Sequence, residues 1–288
     1  MIKTVLLTGA TGFIGSHLLE KLLNNDYSVI ILKRSFSNVW RIENLMDQIK
    51  SYDIDQCDLK QPFEENSIDV VFNLATEYDR ANKKQSQLLT TNLLFPIRLA
   101  ELCRDFNVLY FFNTDSYFNN NKQRKNSLNL YSYSKHILRE ILFEDFSMHF
   151  KTFNFRLHHV FGEKDNQDKL IPYLIRTMKA NQKIEITKGE QQLDFIFIKD
   201  AVSAFLHVLN NINKFTQNPY EFEIGSGKSV SLKEFIAIIK ENLHSKSKIF
   251  YGAKEYRRNE IMSAEADLNP LKGWKPRHNI ESIDYSKI

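Results

Sequence analysis

Tyr131 and Lys135 stand four residues apart at the start of a predicted helix, a spacing that turns both side chains to one face. A phenol ordinarily ionises near ~10, and a neighbouring ammonium favours the phenolate and lowers that value. A tyrosine so tuned can hand a proton to a carbonyl oxygen as hydride arrives at its carbon. The lysine can also hold a ribose hydroxyl. The Tyr-x-x-x-Lys pattern is common by chance, and position lifts this copy. It follows a predicted strand that ends in Asn113-Thr114-Asp115-Ser116, bringing hydroxyls to the carboxyl edge of a sheet. Thr114 is the expected third member, a hydrogen-bond donor to the substrate oxygen, with Ser116 its competitor. Tyr133, two residues from Lys135, faces away.

A second cluster sits at the other end of the same half. Thr8 to Gly15 reads TGATGFIG, with Gly9, Gly12 and Gly15 three apart, after a predicted strand and at a helix start. Glycines here allow a tight turn, a close approach of backbone to pyrophosphate, and close helix–strand packing. The helix N-terminus, with Thr11, Phe13 and Ile14 beside the glycines, offers N–H groups and a positive dipole end to phosphates. The alternative is a glycine-rich turn with no ligand. Where an NAD enzyme usually places a carboxylate, the second strand ends in Lys33-Arg34-Ser35, two cations and a hydroxyl that suit the 2′-phosphate of NADP. The alternative there is an exposed basic turn. Asp58 and Leu59 are placed to flank the adenine, and Leu74-Ala75-Thr76 to pass beside the cofactor ribose.

These residues need a scaffold of alternating strands and helices. Apolar runs at Val5–Leu7, Tyr27–Leu32, Asp69–Leu74, Val108–Phe112 and Thr152–Leu157 read as strands. Helical patterns fall after Gly12, near 86–105 and near 131–147. The expected fold is α/β: a Rossmann-like, doubly wound parallel sheet, with a smaller α/β C-terminal substrate-binding domain. The boundary is expected at 160/161, with some later segments returning to the first domain. In the second half, helices are expected near 169–180 and 200–211 and strands at 183–187, 193–198 and 220–224. A last helix is opened by Ser231 with Glu234 three residues on, a capping-box signal. Asn119 to Asn126 (NNNKQRKN) reads as a solvated loop or as a flap over the site.

The composition narrows the partners. A formal net charge of +4, from 39 basic and 35 acidic residues with only short basic clusters, argues against nucleic acid and suits a small anionic ligand. Cys57 and Cys103 show neither disulfide nor metal-site spacing and read as buried, reduced thiols. The N-terminus shows no leader pattern and no apolar stretch is long enough to span a bilayer, so a cytoplasmic protein with no membrane partner is expected.

Taken together, TGATGFIG, NLATEY at 73–78, NTDS at 113–116, Tyr131 with Lys135, and RLHHVFG at 156–162 resemble the extended short-chain dehydrogenases/reductases of the nucleotide-sugar epimerase/dehydratase family. Within it, GEQQLDFIFIKDA at 189–201, IGSGKSVSLKEF at 224–235, NEIM at 259–262 and GWKP at 273–276 are similar to the CDP-abequose-synthase-like nucleotide-sugar 4-ketoreductases. The resemblance implies NADPH-dependent reduction of a 4-keto-6-deoxy sugar on a nucleoside diphosphate, in bacterial surface polysaccharide biosynthesis. It also implies a homodimer through a four-helix bundle built from the helices near 86–105 and 131–147.

In related 4,6-dehydratases the strand end reads Thr-Asp-Glu, and the acidic pair drives water elimination. Here Ser116 replaces the glutamate, which leaves simple hydride transfer. The resemblance further places Glu77, Asp115 and Ser116 at the sugar, and His159 near its pyrophosphate. Lys169, Leu170 and Ile171 line the nucleotide pocket, and Arg257 binds pyrophosphate. Leu193 stands where relatives commonly have a phosphate-binding arginine, so Arg257, Arg258 or Lys169 would carry more of that duty. Two rivals remain at this point: a 4-epimerase with retained NAD, and a non-catalytic dinucleotide-binding sensor. The nucleotide base, the sugar length and the stereochemistry of the product alcohol are not encoded legibly.

Overall fold

Short blocks of β-branched and aliphatic residues, each followed by a helix with one apolar stripe, generate a layered sheet. The computed structural model describes residues 2–78, 84–119, 129–257 and 260–288. The chain runs β1 (Thr4–Thr8), α1 (Phe13–Leu23), β2 (Ser28–Lys33), β3 (Lys50–Asp53), α2 (Gln61–Glu65), β4 (Val70–Asn73), α3 (Gln85–Leu89), α4 (Phe95–Asp105), β5 (Tyr110–Ser116), α5 (Leu130–Ile141) and β6 (Lys151–Leu157). It continues through β7 (His159–Phe161), α6 (Leu170–Lys179), β8 (Ile184–Ile186), β9 (Gln192–Phe197), α7 (Ile198–Asn210), β10 (Tyr220–Ile224), β11 (Ser229–Ser231), α8 (Leu232–Asn242), β12 (Ile249–Tyr251) and β13 (Ser263–Ala264).

The chain divides into two compact units. Among the described residues, the first spans 2–119, 129–156 and 206–222, and the second 157–205 and 223–288. The first unit is built on a seven-stranded sheet in the order β10-β6-β5-β4-β1-β2-β3. β1 pairs in parallel with both β2 and β4, so the strand order reverses at β1 and opens a crevice beyond its carboxyl end. The sheet is apolar on both faces. Leu6, Leu7, Val71, Phe72, Phe111, Phe153 and Phe155 are all fully buried, and Phe112 packs at 4.3 Å on Phe72 and 4.8 Å on Phe153.

The helix expected near 86–105 is split by a π-turn at Thr90–Leu94, just ahead of Pro96. Proline has no N–H to give to the turn before it, and the wider turn absorbs that loss. A second π-turn, Leu142–Phe146, ends α5. Cys103 is buried as expected, whereas Cys57, on the turn after β3, is only half-buried.

In the second unit β9 is the organising strand. It pairs with β7 in parallel, with β11 antiparallel and with β13 in parallel. Phe195 on β9 stacks on Phe235 of α8 at 3.9 Å. The capping box is present: Ser231 accepts from the Glu234 amide, and the Glu234 carboxylate accepts from the Ser231 amide. The short strands β7, β11, β12 and β13 are additions to the sequence reading. Each has three residues or fewer, too few to show a period.

Candidate active site

The phosphate loop takes its shape from crowding. Gly9 has φ +71°, and a Cβ there would lie 2.7 Å from the Leu74 carbonyl carbon. At Gly15 a Cβ would lie 2.1 Å from the Gly9 oxygen, so neither position admits another residue without moving backbone. Gly12 is different: a Cβ there would meet only the Gly9 oxygen, at 3.1 Å, and the other side is open. Gly12 caps α1 with no side-chain hydrogen bond and no acidic residue in the first turn, which suits an anion at the helix start. The loop is tied to β4 through Thr8, whose hydroxyl accepts from the amides of Leu74 (3.1 Å) and Ala75 (3.0 Å). These residues fit a dinucleotide pyrophosphate.

The turn after β2 is less open than its sequence suggests. Lys33 pairs with Asp53, its register partner on β3. The Ser35 amide and hydroxyl both donate to Asp55, at 2.7 and 2.6 Å. The Arg34 guanidinium lies over the exposed Phe36 ring at 4.9 Å. Of the three residues expected to meet a 2′-phosphate, two are engaged by carboxylates. Arg41 approaches the same region, donating to the Thr11 carbonyl at 3.3 Å. Asp58 takes the Lys60 amide at 3.0 Å, and Leu59 is buried.

At the carboxyl ends of β4 and β5 the reactive side chains gather. α5 begins at Leu130 because Asn129 caps it, accepting from the Ser132 amide. One turn in, Lys135 is 2% exposed and donates to the Thr76 hydroxyl (2.9 Å) and the Thr114 carbonyl (2.8 Å). Burial lowers its ammonium to about 8, opposed by the nearby Asp115 carboxylate.

Tyr131 stacks on Tyr78 at 5.3 Å and hydrogen-bonds with the Ser116 hydroxyl. Burial holds its phenol well above the ordinary range, reinforced by Tyr78 and Asp115 and opposed by Ser116. From the sequence spacing the ammonium is expected to lower the phenol. In the protein alone, burial outweighs any such effect.

Ser116, the competitor, is therefore the hydroxyl that meets Tyr131. The Thr114 hydroxyl instead donates to the Asn73 carbonyl at 3.0 Å. Asp115 turns inward: one oxygen accepts from the Ser116 amide and from Asn119, each at 2.7 Å, and the other from Asn154 at 3.2 Å. Glu77 is fixed through its backbone, exchanging two 2.8 Å bonds with the Asn92 amide. The Ser116–Tyr131 contact had a sequence signal, a hydroxyl at the strand end. The Tyr78 stack, the Lys33–Asp53 pair and the asparagines around Asp115 had none, because each depends on which strands become neighbours.

In the second unit the expected substrate residues separate by burial. His159, on β7, packs its ring at 5.4 Å from Phe195, and burial, with His158 beside it, pushes it down to about 3. It is therefore a neutral imidazole at physiological pH, suited to one hydrogen bond rather than to a charge. His158 lies 3.4 Å from Glu223, whose carboxylate also accepts the Asp267 amide at 2.9 Å.

Leu193 is buried on β9, and its neighbour Asp194 anchors a loop. Asp194 accepts from the Ser226 amide (2.6 Å) and hydroxyl (2.7 Å), and from the amides of Gly227 (2.9 Å) and Ala266 (3.1 Å). Lys169 precedes α6 and pairs with Asp165 at 3.0 Å. Leu170 is exposed and Ile171 buried. Arg257 is exposed, its carbonyl accepting the Glu260 amide at 3.0 Å. Arg258, and the loop from 120 to 126, lie outside the described residues.

The family model described as the NAD dependent epimerase/dehydratase family matches residues 5–225. The chain belongs to that family. It is an NAD(P)-dependent nucleotide-sugar-modifying enzyme of the epimerase/dehydratase class. It is 37% identical over 284 residues to CDP-abequose synthase of Salmonella muenchen, covering 97% of this chain and 94% of that one. Its fold matches UDP-glucose 4-epimerase of Thermotoga maritima, solved with UDP-glucose. The TM-score is 0.83 at 22% identity, over 99% of this chain and 96% of that one. It also matches UDP-glucuronic acid 4-epimerase of Bacillus cereus, in complex with UDP-glucuronic acid and NAD. Here the TM-score is 0.83 at 21% identity, over 99% and 98%. No helix among the described residues is long and apolar enough to cross a membrane.

Proposed function

We propose that this enzyme reduces the 4-keto group of a 4-keto-6-deoxy sugar carried on a nucleoside diphosphate, with NADPH as reductant, in the cytoplasmic assembly of a bacterial surface polysaccharide such as O-antigen. The observation that carries this reading is the state of Asp115. Elimination of water needs an acid aimed at the leaving hydroxyl. Both Asp115 oxygens are taken by protein N–H groups, and the next residue is Ser116, which has no carboxyl to offer. What meets the reacting centre is a phenol with a hydroxyl behind it, equipment for delivering one proton to a carbonyl oxygen.

A bound nicotinamide supplies hydride transfer. Tyr131 gives its proton to the keto oxygen, and Ser116 steadies the phenolate that remains. Lys135 has three donors, two of them spent on Thr76 and Thr114, and the third holds a ribose hydroxyl of the dinucleotide. In the second unit Lys169 and Arg257 take the diphosphate, with His159 adding a neutral donor. The Salmonella relative supports CDP as the nucleotide. α3–α4 and α5 are the helices through which two copies would form a four-helix dimer.

The decisive assay mixes the protein with a CDP-linked 4-keto-6-deoxyhexose and NADPH. Consumption of NADPH matched by the 4-hydroxy sugar is expected. Interconversion of nucleotide sugars with no net NADPH use would overturn the reading. Preference for NADPH now rests chiefly on Arg34. Arg34→Ala should raise KM for NADPH about tenfold, the loss of one charge-assisted bond, and leave KM for NADH unchanged. One observation favours a second reading. Asp53 and Asp55 engage Lys33 and Ser35, which weakens the 2′-phosphate site and suits a 4-epimerase with retained NAD. Denaturing the purified protein and finding stoichiometric NAD would select it.

A further inference from the structure

A row of buried side-chain amides crosses the first unit's sheet near the carboxyl ends of its strands. The Thr8 hydroxyl donates to Asn73 Oδ1 (3.2 Å), Asn73 Nδ2 to Asn113 Oδ1 (2.9 Å), and Asn113 Nδ2 to Asn154 Oδ1 (2.8 Å). Asn154 Nδ2 then donates to Asp115 Oδ2 (3.2 Å) and to Glu221 (3.0 Å). Thr8 and all three asparagines are at most 1% exposed.

Chemistry sets the direction of the row at both ends. A carboxylate only accepts, so Asn154 must turn its NH₂ to Asp115 and its oxygen to Asn113. The same constraint passes to Asn113 and Asn73. At the far end the Thr8 oxygen is occupied by the amides of Leu74 and Ala75, which leaves its proton for Asn73. Each bond in such a chain polarises the next.

Elsewhere this sheet is filled by Val, Ile, Leu and Phe, and an apolar row here would avoid desolvating three amides. The terminus explains the polar choice. Asp115 needs donors to remain in the sheet, and its other oxygen holds the amide of Ser116, the residue whose hydroxyl meets Tyr131. We propose that Asn154 is a positioning residue: it keeps the Asp115 carboxylate turned inward, and through the Asp115–Ser116 bond it fixes the Ser116 hydroxyl on Tyr131. This rests on Tyr131 as the proton-transfer group and not on the identity of the sugar or dinucleotide.

The test is a double-mutant cycle on turnover of the CDP-linked 4-keto-6-deoxyhexose with NADPH, or on epimerisation if that is the wild-type reaction. Asn154→Leu should lower kcat about tenfold, with KM for the nucleotide sugar and Kd for NADPH within about twofold of wild type. Because Asn154 acts through Asp115, adding Asn154→Leu to Asp115→Asn should lower kcat no further. Additive losses in the cycle, or a loss that falls equally on NADPH affinity, would overturn the inference. Should Asn154→Leu not fold, Asn119→Ala removes a donor from the same carboxylate and must give the same non-additivity. Tyr131→Phe is the control. Full activity there would overturn the reading of the site, whereas an impaired Tyr131→Phe with an additive cycle overturns the positioning role alone.

Discussion

Lys135 in the first unit and Lys169 in the second are both expected to meet phosphate-bearing ligands, yet they are built differently. Lys135 is buried and aimed by two hydrogen bonds. The Lys169 side chain is 37% exposed and pairs with the Asp165 carboxylate. Arg257 is more exposed still. Conversely, Asp194 and Glu223, two buried carboxylates of the second unit, hold the protein's own loops. The difference follows from the tasks. A group proposed to hold the dinucleotide ribose beside the proton donor must be placed to a fraction of an ångström before the substrate arrives. A clamp on a diphosphate can be a long cation that orders on binding, because Coulomb attraction falls slowly with distance.

The sharpest way to break this contrast is Tyr131→Phe. The ring and its stack on Tyr78 remain, while the proton and the bond to Ser116 are lost. We expect kcat to fall by roughly 10²-fold or more, the usual range for losing a positioned acid. Dinucleotide affinity, measured by fluorescence titration, should stay within about twofold. A variant of near wild-type activity would mean that the pre-ordered region is not where the proton moves.

That contrast also marks what a sequence can reveal. Tyr131 with Lys135, and Gly9-Gly12-Gly15, are local patterns. Their spacing alone places them on one helix and one loop, and the structure positions both where strand ends meet. The Ser231–Glu234 capping box is of the same kind, and so are the long strands and helices, whose apolar periods survive in isolation. The Lys33–Asp53 pair needs β2 and β3 to lie side by side in a particular register. The amide row needs four strands from separate parts of the chain in one order. Neither leaves a periodic trace, so the basic turn after β2 looked freer than it is. From sequence, Thr114 is the expected donor to the substrate oxygen and Ser116 its competitor; that Ser116 is the hydroxyl beside the phenol depends on the fold.

A second experiment probes the exposed clamp. Leu193 is an apolar, buried side chain that can offer nothing to phosphate, so on the proposed reading Arg257 should carry a large share of the diphosphate's charge. Arg257→Ala should weaken CDP binding about tenfold, the loss of one charge-assisted bond. NADPH affinity should not change. Calorimetric titration of CDP, UDP, GDP and dTDP into wild type and variant reads this directly. Equal affinities in both proteins would remove Arg257 from the clamp.

The smallest expected effect concerns His159, which sits at the border of the two classes, half-buried and expected at the substrate. Its pKa in the folded protein is pushed down from 6.5 to about 3 by burial and by His158. A folded-state value below the unfolded one means that the unfolded chain takes up a proton first as pH falls. The stability tied to a neutral His159 is therefore complete above 6.5 and is lost progressively from there toward 3. At pH 5.5 the unfolded state has already gained about 1 kcal/mol. His159→Asn keeps a hydrogen-bonding side chain and removes the titration, so its melting temperature should fall less than that of wild type between pH 8 and pH 5.5. The expected difference is a few degrees, since about 1 kcal/mol moves a chain of this size by roughly 2–4 °C. Parallel thermal curves for the two proteins would mean that His159 takes up its proton while folded, and would return it to the charged, ligand-facing class with Lys169 and Arg257.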